Sequence, residues 1–77
     1  MNRHYIIDAL SAILEDILNY RLTFPFRAEF EAFFEPEEFE AFQNMVMQEF
    51  DLEDITILES AETFNELIAL LEDELFF

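Results

Sequence analysis

Glycine, cysteine and lysine are absent from the 77 residues of this chain. Without cysteine, the chain can form neither a disulfide nor a thiolate metal site. Without glycine, it cannot build a Gly-rich phosphate-binding loop, and its tight left-handed turns must use Asn or Asp or be avoided. No stretch approaches the roughly 18 apolar residues of a membrane-spanning helix, and no basic region precedes a long apolar run as in a secretory signal. We therefore expect a soluble, cytoplasmic protein.

Basic residues are scarce as well. The three arginines, Arg3, Arg21 and Arg27, oppose nineteen Asp and Glu residues, which gives a formal net charge of -16. Residues 1–28 hold only three of the acids, whereas residues 29–77 hold sixteen acids and no base. Disordered acidic tails lack apolar residues, but this chain is 53% hydrophobic and contains eleven phenylalanines. The acids are therefore expected to lie on the surface of a folded domain.

Apolar residues recur at the spacing of α-helices along most of the chain. One face of the first helix is expected to carry Ile6, Leu10, Ile13, Ile17 and Tyr20. Ser60 is a suitable N-cap for the last helix, which follows a connection over residues 51–59. The pattern predicts a single all-α domain, residues 1–77, formed by a small bundle of three to four helices at about 3–20, 26–34, 36–50 and 61–75.

The five-residue word EFEAF occurs twice, at residues 29–33 and 38–42. In one continuous helix, an offset of nine residues would rotate the second copy by half a turn and leave one pair of phenylalanines in water. Pro36 lies between the copies, disfavours helix at the preceding residue and suits the first turn of a new helix. The repeat therefore predicts two helices that meet at a corner, with phenylalanines inward and glutamates outward.

Two short segments also fit strands. Apolar side chains alternate from Leu22 to Phe30, and the ITIL segment at residues 55–58 is β-prone. The alternative fold is α+β, with a short two-stranded sheet formed by residues 21–27 and 54–58. Phe76 and Phe77 end the chain, and the sequence leaves open whether they fold back or form a contact in a homodimer.

The segment FEPEEFEAFQNMVMQEFDLEDITILESAETFNELIALLEDEL resembles the C-terminal half of acyl carrier proteins, which have a long acidic helix, a short connection and a final apolar helix. The resemblance implies a helical bundle. Carriers bear their phosphopantetheine arm on the serine of an Asp-Ser-Leu word, and where the helices align this sequence reads Glu35-Pro36-Glu37. The two serines, Ser11 and Ser60, do not follow an Asp, so carrier chemistry is not expected.

No catalytic or metal-binding pattern is present in the sequence. His4, the single histidine, has no sequence partner that would complete a nucleophile and base pair. The acids of Asp51 to Asp54 have calcium-like spacing, but the sixth position of such a loop is Thr56 instead of glycine. We therefore predict a protein that is not an enzyme and uses no cofactor or metal.

The excess of acid has two ordinary explanations, solubility and adaptation to salt. Sixteen acids without an interspersed base nevertheless destabilise a compact chain through self-repulsion. Glu72, Asp73 and Glu74 are expected in the last turn of the final helix, where the helix dipole disfavours exposed anions by about 0.3–1 kcal/mol each. Folding alone would not select these residues, which favours a role in binding.

A rigid array of carboxylates can occupy a basic site that otherwise binds nucleic acid, because each DNA strand carries a charge about every 3.4 Å. In character the composition is similar to phage DNA-mimic inhibitors of host nucleases, including anti-CRISPR proteins, which act in the cytoplasm of a bacterial host. We therefore predict a non-enzymatic inhibitor, a monomer or homodimer, that binds a basic nucleic-acid-binding protein or nuclease complex and binds neither nucleic acid nor membrane. The alternatives are an acidic adaptor, antitoxin or immunity protein, and a degenerate acyl-carrier-like protein.

The residues predicted to contact the partner fall into three runs of acids. The first run surrounds the predicted corner and comprises Glu29, Glu31, Glu35, Glu37, Glu38 and Glu40. The second follows the third helix and comprises Glu49, Asp51, Glu53 and Asp54. The third ends the last helix and comprises Glu72, Asp73 and Glu74. We expect reversal of Glu37, Glu38 and Glu40 to Lys to weaken partner binding while helicity is largely retained.

Overall fold

Five α-helices, and no sheet, form within residues 2–76, the part of the chain that the computed structural model describes. The helices are α1 (Asn2–Leu18), α2 (Phe30–Phe33), α3 (Pro36–Glu49), α4 (Thr56–Ser60) and α5 (Phe64–Phe76). The predicted all-α class is confirmed, and the three long helices correspond to three of the predicted ones. Of the two phenylalanines that end the chain, Phe76 belongs to α5, whereas Phe77, like Met1, lies outside the described residues.

α1 packs against both α3 and α5, and contacts between its start and the ends of the other two show that it runs antiparallel to them. Near its start, the Nη1 atom of Arg3 lies 2.6 Å from Oε1 of Glu72 in α5. The ring centroids of Tyr5 in α1 and Phe50, which follows α3, are 5.9 Å apart. One end of the bundle, which we call the apical end, therefore contains the start of α1 and the ends of α3 and α5. The opposite, basal end contains the starts of α3 and α5.

A cluster of phenylalanine rings fills the basal part of the core. Phe64, the first residue of α5, is fully buried and contacts five rings at centroid distances of 4.8 to 5.9 Å, those of Phe24, Phe30, Phe33, Phe34 and Phe42. Aromatic pairs of this kind add about 0.5–1.5 kcal/mol each beyond the burial of their area. Buried aliphatic side chains from the three long helices complete the core, namely Ile6, Leu10, Ile13, Leu14, Val46, Leu67, Ile68 and Leu71.

The two copies of the repeat form two helices, as the sequence predicted. α2 ends at Phe33 and α3 begins at Pro36, where the backbone N–H of Glu35 donates a 2.9 Å hydrogen bond to the carboxylate of Glu38. One phenylalanine of each copy is buried and the other is half-buried, whereas none of the glutamates is buried. The corner therefore packs the aromatic rings together and leaves the carboxylates in contact with water.

The predicted helix over residues 26–34 is wrong in its first part, because only the four residues of α2 are helical. The preceding residues bond to a distant part of the chain instead. The N–H of Asn65 donates to the carbonyl of Phe26 at 3.0 Å, and the first N–H of α2 donates to the carbonyl of Glu62 at 2.9 Å. These long-range hydrogen bonds satisfy the backbone in place of helical ones.

The alternative sheet of residues 21–27 and 54–58 is also wrong. Residues 21–25 are irregular, and the β-prone segment forms most of α4. The carboxylate of Asp54 accepts hydrogen bonds from the backbone N–H and the hydroxyl of Thr56, which fixes the start of this helix. Leu58 is fully buried in the core. Local capping and the burial of one helical side chain outweigh the β propensity of the segment.

The last helix begins at Phe64, three residues later than predicted. The hydroxyl of Thr63 accepts a 3.2 Å hydrogen bond from the backbone N–H of Glu66, which is the geometry of an N-cap. Ser60, the predicted cap, is instead the last residue of α4. Two residues with capping side chains lie close together, and the one that directly precedes the buried face of α5 is used.

Asn19 and Asp51 take the left-handed conformation where α1 and α3 end, with φ angles of 64° and 54°. This confirms the expectation that a chain without glycine uses Asn and Asp for such turns. After α3, the N–H of Leu52 donates to the carbonyl of Met47 at 2.9 Å, so the helix ends in a Schellman motif. Because α1 stops before Asn19, Tyr20 does not join the buried face as predicted and is 60% exposed.

Candidate acidic interface

The thirteen acids predicted to contact a partner all lie at the surface. Eleven are exposed, and Glu38 and Glu72 are half-buried. The described residues contain no buried charged side chain, and Arg3 with Glu72 is the one ion pair among them. The charge of Glu72 is therefore balanced within the bundle, whereas no other predicted residue has an ion-pair partner within residues 2–76.

The second and third runs of acids meet at the apical end. Asp51, Glu53 and Asp54, from the connection after α3, line one groove of about 340 Å³ together with Glu74 of α5. We call it the apical groove, and its apolar lining residues are Phe50, Leu52, Ile57 and Leu75. The antiparallel packing of α1 against α3 and α5 brings these acids together from distant parts of the sequence.

The apical acids lie where the backbone already carries partial negative charge. α3 and α5 both end at the apical end, and each helix C-terminus is equivalent to roughly half a negative charge. The N-terminus of α1 carries a partial positive charge of similar size, which offsets only one of these two C-termini. An exposed carboxylate in the last turn of a helix or just beyond it costs about 0.3–1 kcal/mol, so Asp51, Asp73 and Glu74 each weaken the fold.

Asp54 differs from its apical neighbours because its carboxylate accepts hydrogen bonds within the fold. The hydroxyl of Thr56 donates to Oδ1 of Asp54, and the backbone N–H of Thr56 donates to the same oxygen at 2.8 Å. These two bonds, the one from the hydroxyl first, hold the pKa of Asp54 below its ordinary value of 3.8. Asp54 therefore remains ionised at neutral pH, and its hydrogen bonds to Thr56 at the start of α4 explain its presence without a partner.

A larger groove of about 630 Å³, which we call the aromatic groove, is formed by residues of α2, α3 and α4 and the segments beside them. Buried or half-buried apolar side chains form its floor, namely Phe30, Phe34, Phe39, Leu58 and Ala61. Four exposed carboxylates form its rim, those of Glu29, Glu31, Glu59 and Glu62. The first two were predicted contact residues. The other two were missed, because their approach to α2 depends on α4, which the sequence did not predict.

Glu49 does not join the rest of its run at the apical groove. It lines a third groove of about 560 Å³, together with Asp8 and Asp16 of α1. The Schellman motif after α3 turns the following acids away from Glu49. Asp8 and Asp16 were not predicted as contact residues, although with Ala12 they follow the i, i+4, i+8 spacing of a single stripe on α1.

The remaining predicted acids, Glu35, Glu37, Glu38 and Glu40, surround the start of α3 at the basal end. Glu37 and Glu38 occupy the first turn, where the helix dipole stabilises an anion by about 0.3–1 kcal/mol. The carboxylate of Glu38 also accepts the backbone N–H of Glu35. Folding therefore accounts for part of the basal acid, in contrast to most of the apical acid.

The residues between 2 and 76 form no candidate metal centre. In this range no group of three or more His, Asp or Glu side chains is arranged to hold a metal ion. His4 is exposed on α1, Ser11 is half-buried within α1, and Ser60 is exposed at the end of α4. None of the helices between residues 2 and 76 has the length and hydropathy of a membrane span.

Comparisons of the chain with protein-family models, with curated proteins and with solved structures gave no match. Three surfaces combine acids with apolar residues, namely the apical groove, the aromatic groove and the third groove, which Glu49 lines with Asp8 and Asp16.

Proposed function

We propose that this chain is a non-enzymatic acidic protein that binds, and thereby blocks, the basic nucleic-acid-binding surface of another protein. Its charge density supports this function. A B-DNA duplex of the same 32 Å length carries about 19 phosphate charges, at one charge per 1.7 Å of axis. The chain carries nineteen Asp and Glu residues and a net charge of -16 within that length. A basic site for duplex DNA would meet a similar amount of negative charge on this protein.

The observation that carries the proposal is the cost of the apical acids to the fold. Solubility of a small domain requires a net charge of only about 2–8 in magnitude and no particular placement. Asp51, Asp73 and Glu74 lie at helix C-termini, where they destabilise the protein and have no hydrogen-bonded partner within residues 2–76. At Asp51 the left-handed backbone could be formed equally well by Asn, so the fold does not require any of these three charges. Charges that weaken a fold are expected where binding requires them.

The packed interior supports the proposal because it holds the carboxylates in fixed positions. The radius of gyration is 11.4 Å, close to the value of about 11.5 Å expected for a compact domain of this length. Most of the predicted contact residues belong to helices or directly follow them. A preorganised array loses less conformational entropy on binding than the same charges on a flexible tail.

The test is to capture partners from a cell lysate with the whole chain and to measure whether each captured protein binds nucleic acid and releases it when the chain is added. We expect the captured protein to bind a labelled duplex and to release it when the chain is added. Affinity for the chain is expected to fall steeply between about 50 and 200 mM salt, because charge dominates the interaction. A captured protein without nucleic-acid-binding activity would contradict the proposal and would favour the adaptor, antitoxin or immunity alternative.

Two variants distinguish an effect of where the charge lies from an effect of the total net charge. Glu53→Gln with Glu74→Gln removes two acids from the apical groove, and Asn44→Lys with Gln48→Lys adds two bases on α3 outside all three grooves. Both variants therefore shift the net charge of -16 by the same two units. We expect the apical variant to bind the captured partner about tenfold more weakly, and the control to lose much less. Equal losses would show that only the total charge matters.

A further inference from the structure

We propose that the aromatic groove is a docking site for a basic amphipathic helix of the partner protein. The proposal rests on the proposed function for the basic character of the partner. It goes further by naming a second contact surface, in which apolar side chains contribute as well as charge.

The floor of the aromatic groove is apolar and is formed without an occupant. Phe30, Phe34 and Leu58 are 3%, 7% and 1% exposed. The half-buried ring of Phe39 has its centroid 5.4 Å from that of Phe30 and 5.9 Å from that of Phe34. The groove volume of about 630 Å³ lies within the range of roughly 300–1,000 Å³ that ligand sites occupy. Phe39 therefore offers an aromatic surface to an incoming apolar side chain.

The two walls of the groove come from separate segments that are bonded to each other. Glu29 and Glu31 belong to the α2 side, whereas Glu59 and Glu62 belong to α4 and the connection that follows it. The N–H of Phe30 donates to the carbonyl of Glu62 at 2.9 Å and so fixes one wall against the other. A groove that is preformed in this way requires little ordering when it binds a ligand.

The four carboxylates of the rim have no compensating charge in the described structure. None of their side chains forms a hydrogen bond or an ion pair within residues 2–76. No Arg or His is among the residues that line the groove. The rim therefore presents four acceptors for cationic side chains around an apolar floor.

A basic amphipathic helix fits this combination of charge and apolar surface. Its apolar stripe, at i, i+3, i+4 and i+7, would contact the floor while flanking Arg or Lys residues reach the rim. Arg is especially suitable, because its guanidinium binds carboxylates in bidentate geometry and stacks on aromatic rings such as that of Phe39. A second copy of this chain, with its net charge of -16, would be repelled by the same rim.

The first test uses a synthetic helical peptide of about 14 residues, or four turns. Leu and Phe form one stripe of this peptide and Arg residues flank the stripe. A peptide of the same composition in scrambled order has the same charge without the stripe and is the control. We expect calorimetric titration into the whole chain to show about tenfold tighter binding of the ordered peptide. Equal affinities would overturn the proposal, because charge alone would then explain the binding.

The second test locates the peptide with a matched pair of variants. Gln43 lines the aromatic groove, whereas Gln48 is exposed on the same helix outside it. Gln43→Arg places a long cationic side chain in the groove, and Gln48→Arg makes the same chemical change elsewhere. We expect about tenfold weaker binding of the ordered peptide for the first and less than about twofold for the second. Equal losses, or no loss for Gln43→Arg, would overturn the assignment.

A further variant tests the rim carboxylates, and two additional measurements test whether the variants fold and whether the chain self-associates. Circular dichroism shows whether each variant retains its helices. Glu31→Gln with Glu59→Gln changes only exposed rim residues and is expected to flatten the salt dependence of peptide binding, whereas an unchanged salt dependence would refute the role of the rim. Sedimentation shows whether the chain self-associates. A dimer that Gln43→Arg abolishes would assign the groove to a second copy and overturn the proposal.

The docking proposal and the proposed function fail separately. If captured partners release nucleic acid but the order of the peptide has no effect, the blocking function stands and the groove assignment is wrong. If the ordered peptide binds through the groove but captured partners bind no nucleic acid, the groove assignment stands and the blocking function is wrong.

Discussion

Replacement of Asp51 by Asn is expected to stabilise the protein, although it changes an exposed residue that packs against nothing in the core. Asp51 lies two residues beyond Glu49, the last residue of α3, and lines the apical groove with Glu53, Asp54 and Glu74. Removal of its charge relieves an unfavourable interaction with the helix dipole of about 0.3–1 kcal/mol. It also relieves repulsion from the other acids of the groove. Asn tolerates the left-handed conformation as well as Asp does, so the substitution isolates the effect of charge.

The expected gain in the free energy of unfolding is about 0.5–1.5 kcal/mol, which corresponds to a rise in Tm of roughly 4–8 °C for each kcal/mol in a domain of this size. Asp51→Gly is expected to add a further gain of up to about 1 kcal/mol, because φ is 54° at this position and glycine adopts positive φ without steric cost. Thermal and urea unfolding, followed by circular dichroism, measure both gains.

Glu37→Gln is the matched control, because it makes the same change from carboxylate to amide at the other end of α3. Glu37 lies in the first turn, where the dipole favours an anion, so its neutralisation is expected to cost about 0.3–1 kcal/mol. The opposite effects of the two variants should converge as salt approaches about 1 M, where the Debye length is about 3 Å. If Asp51→Asn destabilised the protein, or if both variants shifted stability equally, the claim that the apical acids oppose the fold would be refuted.

Three other predictions follow from the core, the α4 cap and the serines. Phe64→Ala is expected to lower the free energy of unfolding by about 3–5 kcal/mol, a large part of the roughly 4–12 kcal/mol expected for a domain of this size. The control Tyr20→Ala changes an exposed residue and should cost less than about 0.5 kcal/mol. A small effect of Phe64→Ala in urea unfolding would contradict the central position of its ring. Thr56→Val removes the hydroxyl that lowers the pKa of Asp54. The stability that this hydrogen bond contributes is present at pH values above the ordinary pKa of 3.8, and it is lost as the pH falls through the lowered pKa. The difference in unfolding free energy between wild type and Thr56→Val should therefore shrink at acid pH, with Thr56→Ser as the control, and a constant difference would refute this cause. Mass spectrometry after co-expression with a phosphopantetheinyl transferase is expected to show no added arm, and an arm on serine would revive the carrier alternative.

Elements with a strong local cause could be predicted from the sequence. The half-turn offset of the two EFEAF copies, together with Pro36, predicts the break between α2 and α3. α2 ends before this break, at Phe33, and α3 begins after it, at Pro36. The lack of glycine predicts that any tight left-handed turn uses Asn or Asp, and the two such residues within residues 2–76 are Asn19 and Asp51. In both cases sterics within a few residues decide the structure.

Elements decided by contacts between distant residues were predicted wrongly. The segment before α2 has a helical pattern of phenylalanines, but its backbone bonds to residues 62–65 instead. Residues 55–58 have β propensity, but the hydrogen bonds from Thr56 to Asp54 and the burial of Leu58 favour the helix α4. Local patterns do not reveal which of two competing sets of hydrogen bonds the packed chain selects.

The candidate surfaces were predictable in composition but not in arrangement. The sequence indicated that the acids lie outside the core, and none of them is buried. It did not indicate that Glu74 would lie beside Asp51, or that Glu59 would lie beside Glu31. The first grouping depends on the antiparallel packing of α1 against α3 and α5, and the second depends on α4, which the sequence did not predict.

Whether the carboxylate array replaces nucleic acid at a basic site is tested most directly by the fluorescence anisotropy of a labelled duplex bound to the captured partner. We predict that titration of the chain at low salt lowers the anisotropy to that of the free duplex, and that the variant with Glu53→Gln and Glu74→Gln requires a higher concentration. An anisotropy that stays constant or rises as the chain binds would show that partner, duplex and chain form one complex, and that the acidic surface contacts a different site.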